Sequence, residues 1–250
     1  MSRAITVGIA AGFLSGVFGV GGGILVVPAL VLVLQMEQRL AHGTSLAAVL
    51  PISVASLIGY AASGDVDWPV ALFLAVGAVS GAVLGTKLLH VLPQRLLAFA
   101  FAGLLIATAV RLFIPFTSEG RDDLTVLMAI ALVVAGVITG VLAGLLGVGG
   151  GIVMVPVMVV LLGLPPVLAK GTSVAVIVPT AIMGTWRNRT KRNADLRTAG
   201  IVGVAGIVSA FAGTAVSQRL GDRLSNVLFA VLLSAVAAKM LFEQRQATAH

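Results

Sequence analysis

Gly19-Val20-Gly21-Gly22-Gly23-Ile24 interrupts an apolar run that would otherwise form one smooth helix, and it returns as Gly147-Val148-Gly149-Gly150-Gly151-Ile152. Both copies are centres of a longer repeat. Of the 40 residues from Gly12 to Pro51, 20 recur unchanged 128 positions later, from Gly140 to Pro179, without a gap. Unrelated segments of a chain so rich in Gly, Ala, Val and Leu would agree at roughly one position in ten, so the match marks a duplication. Gly85-Thr86 and Gly213-Thr214 keep the same offset, as do Asp67 and Asp195, which extends the duplication over nearly the whole chain. The layout is a first repeat over 1–116, a linker over 117–123 and a second repeat over 124–250.

The 250 residues are 59% apolar and 10% charged, with a mean hydropathy of +1.12, which leaves too little polar surface for a water-soluble globule. The expected class is an all-α integral membrane protein, a polytopic helical bundle with roughly eight to ten transmembrane segments and no soluble catalytic domain. The absence of cysteine removes disulfides, thiolate nucleophiles and cysteine metal sites. The net charge of +7 comes from basic residues that flank apolar runs, so it points to membrane orientation and not to nucleic acid. Arg3 precedes an apolar stretch, as in a signal peptide, but the same stretch reappears in mid-chain and is therefore read as mature structure.

Ala4 to Met36 contains no charged residue, and 33 residues of helix would measure roughly 50 Å against a hydrocarbon core of about 30 Å. The 46 uncharged residues from Leu124 to Ala169 need two passes, or one pass and a re-entrant arm. The glycine clusters are where the breaks must fall, because glycine is weak in helices and tolerates positive φ. Further spans are expected near 44–62, 68–88, 96–115, 172–186, 199–218 and 224–241.

Two topologies fit. Four spans per half make the halves parallel; five, with the arm after each break crossing, make them inverted. In the inverted arrangement Arg3, Arg39, Lys87, Arg95, Arg187, Arg189, Lys191, Arg192, Arg197, Lys239 and Arg245 share the inner side, 11 of 16 basic residues against 10 for the parallel one. The loop holding Arg187, Arg189, Lys191 and Arg192 aligns with one whose only charges are Asp65 and Asp67, and equivalent loops of opposite charge favour opposite sides.

A helix beginning after each glycine cluster exposes unpaired N–H groups and the positive end of its macrodipole, which attracts anions. In inverted repeats Gly21, Gly22 and Gly23 would approach the midplane from one face and Gly149, Gly150 and Gly151 from the other, placing two such ends around one cavity. Close helix packing is the competing explanation, and it is the one adopted for the stripes Gly8, Gly12, Gly16 and Gly77, Gly81, Gly85. The second repeated element is His42-Gly43-Thr44-Ser45 against Lys170-Gly171-Thr172-Ser173, each expected just before a helix. One hydroxyl of each pair would cap the helix, leaving the other for substrate. Pro28, Pro51, Pro156 and Pro179 are expected to kink their helices. Lys170 and His42 could guide anions, although interfacial snorkelling accounts for both, as it does for Arg111. No Asp or Glu falls in mid-span, which argues against a carboxylate proton relay.

Three motif matches carry nothing. Gly19-x-Gly21-x-x-Ile24 lacks the last glycine of a dinucleotide fingerprint, Lys170-Gly171-Thr172 has phosphate-loop residues in the wrong order, and Asn188-Arg189-Thr190 is a glycosylation triplet in a loop expected to be cytoplasmic.

The glycine repeats GFLSGVFGVGGGILVVP (12–28) and GVLAGLLGVGGGIVMVP (140–156), with the two Gly-Thr-Ser elements, resemble the TauE/SafE sulfite exporter family over essentially the whole chain. The resemblance implies an inner-membrane, multi-pass transporter of small sulfur-containing anions such as sulfite or organosulfonates, with no cofactor and no metal. Its partners would be the small anion and the lipid bilayer, and a homodimer is possible. By resemblance Gly21 to Gly23 with Pro28, Gly149 to Gly151 with Pro156, and Thr44, Ser45, Thr172 and Ser173 fall on the motif positions to test. His42 departs from its counterpart Lys170, which sets aside any site with symmetric cations. The expected mechanism is alternating access at a midplane site. A passive anion channel or a non-transporting subunit are the alternatives, and three scattered histidines without intramembrane carboxylates disfavour an enzyme.

Overall fold

The computed structural model describes residues 1–88, 106, 110, 125–146, 149–190 and 194–246. Among them are nine helices: α1 Ser2–Phe18, α2 Gly23–Leu32, α3 Gln38–Ala62, α4 Trp68–Leu88, α5 Val126–Leu146, α6 Gly151–Leu161, α7 Pro166–Thr190, α8 Leu196–Arg219 and α9 Asp222–Gln246. Five of the described helices are long and apolar enough to cross a bilayer, within α3, α4, α5, α7 and α8. This is a multi-pass helical membrane protein, in which each of α1 to α4 has its counterpart in α5 to α8. Apart from Ile106 and Val110, the span expected near 96–115 with its Arg111, and the linker 117–123, lie outside the described residues.

Glycine stripes set the helix pairings and their directions. A Cβ on Gly8, Gly12 or Gly16 of α1 would strike the carbonyl of Val202, Gly206 or Ala210 of α8, so these two helices run parallel with their backbones touching. The equivalent pair obeys the same rule: Gly77 of α4 lies against Val133 of α5, Gly81 against Val137 and Gly85 against Val141. In lipid, where the hydrophobic effect does little between helices, such backbone proximity is the main source of association. Each tight pair takes one helix from each repeat. α3 also runs parallel to α8, with Pro51 on Gly203, Ile52 on Gly206 and Gly59 on Thr214.

Across the centre the directions oppose. Leu46 of α3 meets Gly184 of α7, while Tyr60 meets Gly171. Between these contacts Val49 packs with Ile177 and Ala181. As α3 and α7 are equivalent helices, their antiparallel register makes the repeats inverted, as the loop charges suggested. Val49 and Ile177 are themselves equivalent, so their meeting marks the pseudo-twofold axis.

The arm after the first glycine break is only half a crossing. α2 has 10 residues, about 15 Å of helix. Gly22 lies against Ala11, well back from the end of α1, and Val26 and Leu30 join Ala4, Val7 and Ala11 in one cluster. The chain therefore climbs through α1, reverses at the glycines and returns through α2 to the end where it began. α6, with 11 residues, is the counterpart arm.

The ends of the bundle differ in charge. Arg3, Arg187, Arg189 and Arg197 outnumber Glu37 and Asp195 at the end where α1, α3 and α8 begin, whereas Asp65, Asp67 and Asp222 outnumber Arg219 and Arg223 at the opposite end. We call them the basic and acidic ends.

One expectation fails. α3 and α7 begin at Gln38 and Pro166, six residues before Thr44 and Thr172, so none of the four hydroxyl residues caps a helix. The reason is local: Pro166 is preset for a first helical position in α7, and in α3 the polar stretch Gln38 to His42 that hydropathy reads as loop is the first turn and a half of the helix.

Candidate functional site

Gly21 and Gly22 have φ of 71° and 72°, and Gly149 and Gly150 have 80° and 79°. This left-handed backbone penalises any residue with a Cβ, and it turns α2 and α6 sharply away from the helices before them. Both turns end at the same place. A Cβ on Gly21 would lie 3.1 Å from Ile177 and one on Gly149 3.3 Å from it, while Gly151 approaches Val20 and the Gly19 carbonyl. The N-termini of two oppositely directed half-helices thus meet around Val49 and Ile177, on the pseudo-twofold axis.

These termini are uncapped by side chains. In α2 the first N–H groups to bond within the helix belong to Leu25 and Val26, both to Gly22 O; in α6 they belong to Val153 and Met154, both to Gly150 O. The N–H groups of Gly23, Ile24, Gly151 and Ile152 therefore stand ahead of the helical ladder, at the positive ends of the two dipoles. Beside Gly21 lies Ser53 Oγ, within 3.2 Å of where a Cβ would stand. Ser53 is fully buried and its hydroxyl has no hydrogen-bond partner. A buried orphan hydroxyl in lipid is costly and calls for a ligand.

The four hydroxyls singled out in the sequence divide into two kinds. Thr44 and Thr172 tie the repeats together: Thr172 Oγ1 accepts the backbone N–H of Asp67 at 2.9 Å, and Thr44 Oγ1 accepts that of Asp195 at 2.9 Å. Thr172 also donates to Leu168 O at 2.7 Å, so its single proton is committed. The serines differ from each other. Ser173 donates to Gly19 O at 2.8 Å, closing over the first glycine turn, whereas the buried Ser45 Oγ has no partner. Thr185 Oγ1, level with Ser45 by the α3–α7 register, is likewise buried without a partner.

Lys170 corrects a second expectation. It does not snorkel; it is 1% exposed. Its Nζ donates to Ser217 Oγ at 3.1 Å and lies 5.9 Å over the Phe18 ring, which stacks on Phe229. Tyr60 donates to Gly16 O and also bonds Ser217, while Gln218 bonds Gly59 O and the Asp65 carboxyl. Burial raises the Asp65 carboxyl above its ordinary range against that hydrogen bond. His42, the counterpart of Lys170, is half-buried at the other end of the bundle. Among the prolines, Pro51 packs on Gly203, Pro28 and Pro156 lie inside the two half-helices, and Pro179 lies inside α7.

Sequence reasoning missed Ser53, Thr185, Tyr60, Ser217 and Phe18. Tyr60 carried a signal, as the one tyrosine of the chain within an apolar span. The others are commonplace residues whose placement depends on distant segments.

Known proteins share sequence with this chain. A Bacillus subtilis protein named probable membrane transporter protein YdhB is 35% identical over 111 residues, which are 42% of this chain and 45% of that protein. A probable membrane transporter protein of Xylella fastidiosa is 39% identical over 106 residues, 42% of this chain and 41% of its own length, so the chain spans less than half of these relatives. Probable membrane transporter protein MJ0441 of Methanocaldococcus jannaschii is 27% identical over 256 residues, 95% of this chain and 94% of that protein. No solved structure matches. The profile described as sulfite exporter TauE/SafE matches residues 1–112 and 132–250, two stretches that together take in both glycine turns and all of the described helices except the first six residues of α5. The chain therefore belongs to the TauE/SafE family.

Proposed function

We propose that this protein is a membrane transporter that exports a small sulfur-containing anion, such as sulfite or an organosulfonate, by alternating access to a site between its inverted repeats. The observation that carries the reading is the meeting of two uncapped half-helix N-termini around Ile177 with the orphan hydroxyl of Ser53 beside them. Such ends hold an oxyanion through backbone N–H groups without any cationic side chain, and broken helices at the midplane are where inverted-repeat transporters bind their substrates. Gly21 to Gly23 and Gly149 to Gly151 would supply these groups, with the unpartnered Ser45 hydroxyl on one side and Ser173 on the other, which would give up its bond to Gly19 O to donate to the anion. Thr44 and Thr172 would shape the site through the cross-repeat bonds, and His42 and Lys170 would stand at its two approaches. The family and its relatives support transport; the sulfur anion rests on the family's description. The positive-inside rule places the basic end in the cytoplasm, and the inner membrane of a bacterium is the expected setting.

The test is a thermal-shift screen of the purified protein against sulfite, sulfate, thiosulfate, sulfoacetate and taurine, followed by counterflow in proteoliposomes. Stabilisation by a sulfur oxyanion with saturable counterflow is the expected result. Stabilisation by carboxylates or cations alone would overturn the substrate, and ohmic current without saturation would overturn the carrier mechanism.

A further inference from the structure

We propose that Lys170 is the substrate-contacting cation at the acidic end, and that the equivalent position at the basic end, held by His42, does not serve in the same way, so the two faces of the transporter recognise the anion by different chemistry. The inference rests on the anion-transport reading and deepens it.

Position is the first argument. Gly171 abuts Tyr60 and the backbone of Asp65, near the acidic end of α3, and Lys170 stands seven residues from Ile177, about 10 Å along α7. Its Cα is pressed against Gly19, the residue that ends α1 and opens the first glycine turn. This corner therefore lies between the midplane turns and the acidic end.

Chemistry is the second. An ammonium group buried to 1% exposure inside a membrane bundle is expensive, and such groups mark ion or substrate pathways. Two of its partners are soft: the neutral Ser217 hydroxyl at 3.1 Å and the face of Phe18 at 5.9 Å. The carbonyl end of α1 adds partial negative charge, since Gly16 O and Gly19 O are drawn to Tyr60 and Ser173 beside the lysine. A sulfur oxyanion arriving here would replace the neutral Ser217 acceptor with a charged one, turning an ion–hydroxyl bond into an ion pair. Separating Lys170 from Ser217 would also loosen the group formed by Ser217, Tyr60 and Gly16 O, which holds the end of α1 to α3 and α8. Binding and opening would then be the same event.

Asymmetry is the third. The positions equivalent to Lys170, Phe18 and Tyr60 are His42, Leu146 and Asn188, so the polar latch has no copy in the other repeat. At the basic end the buried hydroxyl of Ser45 stands without a partner, whereas its counterpart Ser173 is bonded to Gly19 O.

Transport of radiolabelled sulfite in vesicles of defined orientation, measured separately from each face, tests the proposal with Lys170→Met and Lys170→Arg. Methionine keeps the length and apolar stem, so a structural role would leave K170M like the wild type or more stable. The expected result is a rise of about tenfold or more in the half-saturating sulfite concentration at the acidic end, as for the loss of one charged hydrogen bond. The basic face should stay within about twofold, and K170R should recover most of the loss because it retains the charge. Unchanged half-saturation in K170M, an equal change at both faces, or failure of K170R to improve on K170M overturns the proposal and leaves the transport reading intact. If K170M does not reach the membrane, Ser217→Ala decides: it should tighten or preserve sulfite affinity at the acidic face, and a tenfold loss there would overturn the proposal. Absence of sulfite counterflow in the wild type would overturn the sulfite reading and this proposal with it.

Discussion

Thr172 of the second repeat accepts the backbone N–H of Asp67 in the first, and 128 positions away Thr44 of the first accepts the N–H of Asp195 in the second, both at 2.9 Å. Each hydroxyl anchors the start of a helix that belongs to the other repeat. Thr44→Val and Thr172→Val remove these bonds with little change of shape, leaving an N–H unpaired, and each should lower stability by about 1–3 kcal/mol. The two bonds lie toward opposite ends of the bundle, so the double variant should lose the sum of the two effects. Thermal unfolding in detergent measures it, and strong non-additivity would show that the anchors act as one unit.

The glycine turns should not tolerate alanine equally. Both Gly22 and Gly150 have left-handed backbone, which costs any side chain roughly 1–2 kcal/mol. A Cβ on Gly22 would also stand 2.7 Å from the Ala11 carbonyl oxygen, which is fixed in α1, whereas the nearest atom to one on Gly150 is the flexible Met154 methyl at 3.1 Å. Gly22→Ala should therefore be the more damaging, seen as a lower melting temperature than that of Gly150→Ala. Gly22→Leu with Gly150→Leu should abolish transport while the protein still inserts; full activity would reduce the turns to packing devices.

Ser53→Ala separates binding from folding. Deleting an orphan buried hydroxyl relieves a penalty of about 1–3 kcal/mol, so the variant should be at least as stable as the wild type. It should nonetheless show a smaller thermal shift with sulfite. A variant that loses stability and keeps the full shift would remove Ser53 from the anion site.

Acid should act on the bundle through Asp195. This residue caps α8, accepting from the N–H groups of Arg197 and Thr198, and the hydroxyl of Thr198 is the main reason its carboxyl is held below the ordinary range. A carboxyl lowered on folding contributes stability that is complete above the unfolded value, about 3.9, and is lost as pH falls through the folded one. Asp195→Ala should cost about 1 kcal/mol at neutral pH, as for a lost helix cap, and flatten the acid limb of the stability curve. Asp65 has the opposite sign. Its carboxyl is raised by burial, so ionisation opposes folding and the penalty appears as pH rises through the folded value; Asp65→Asn should stabilise the protein at pH 7 relative to pH 3.

The parts of the fold that could be read from the sequence are those written twice. The inverted layout followed from the cluster of Arg187 and Arg189, which the structure places in the last turn of α7, standing where the other repeat has Asp65 and Asp67 as its nearest charges. The stripes at Gly8, Gly12, Gly16 and Gly77, Gly81, Gly85 pack as expected, because spacing by four keeps small residues on one helical face. The starts of α3 and α7 were hidden because Gln38 to His42 is polar enough to resemble a loop, although Pro165-Pro166 marked the second start. Lys170 could not be understood from its own surroundings. Its burial depends on Ser217 and Phe18, 47 and 152 residues away, and no single-sequence pattern joins them.

The stripe on α1 is covered by α8, and the stripe on α4 by α5. Neither repeat can satisfy its own glycines. A half-chain inserted alone would present bare backbone to lipid along two helices, and two such halves lying head to tail would cover one another completely. The two repeats thus pack as an antiparallel pair would, with the linker serving as their tether. Co-expression of residues 1–116 and 124–250 as separate chains should rebuild the whole, while either alone should be degraded.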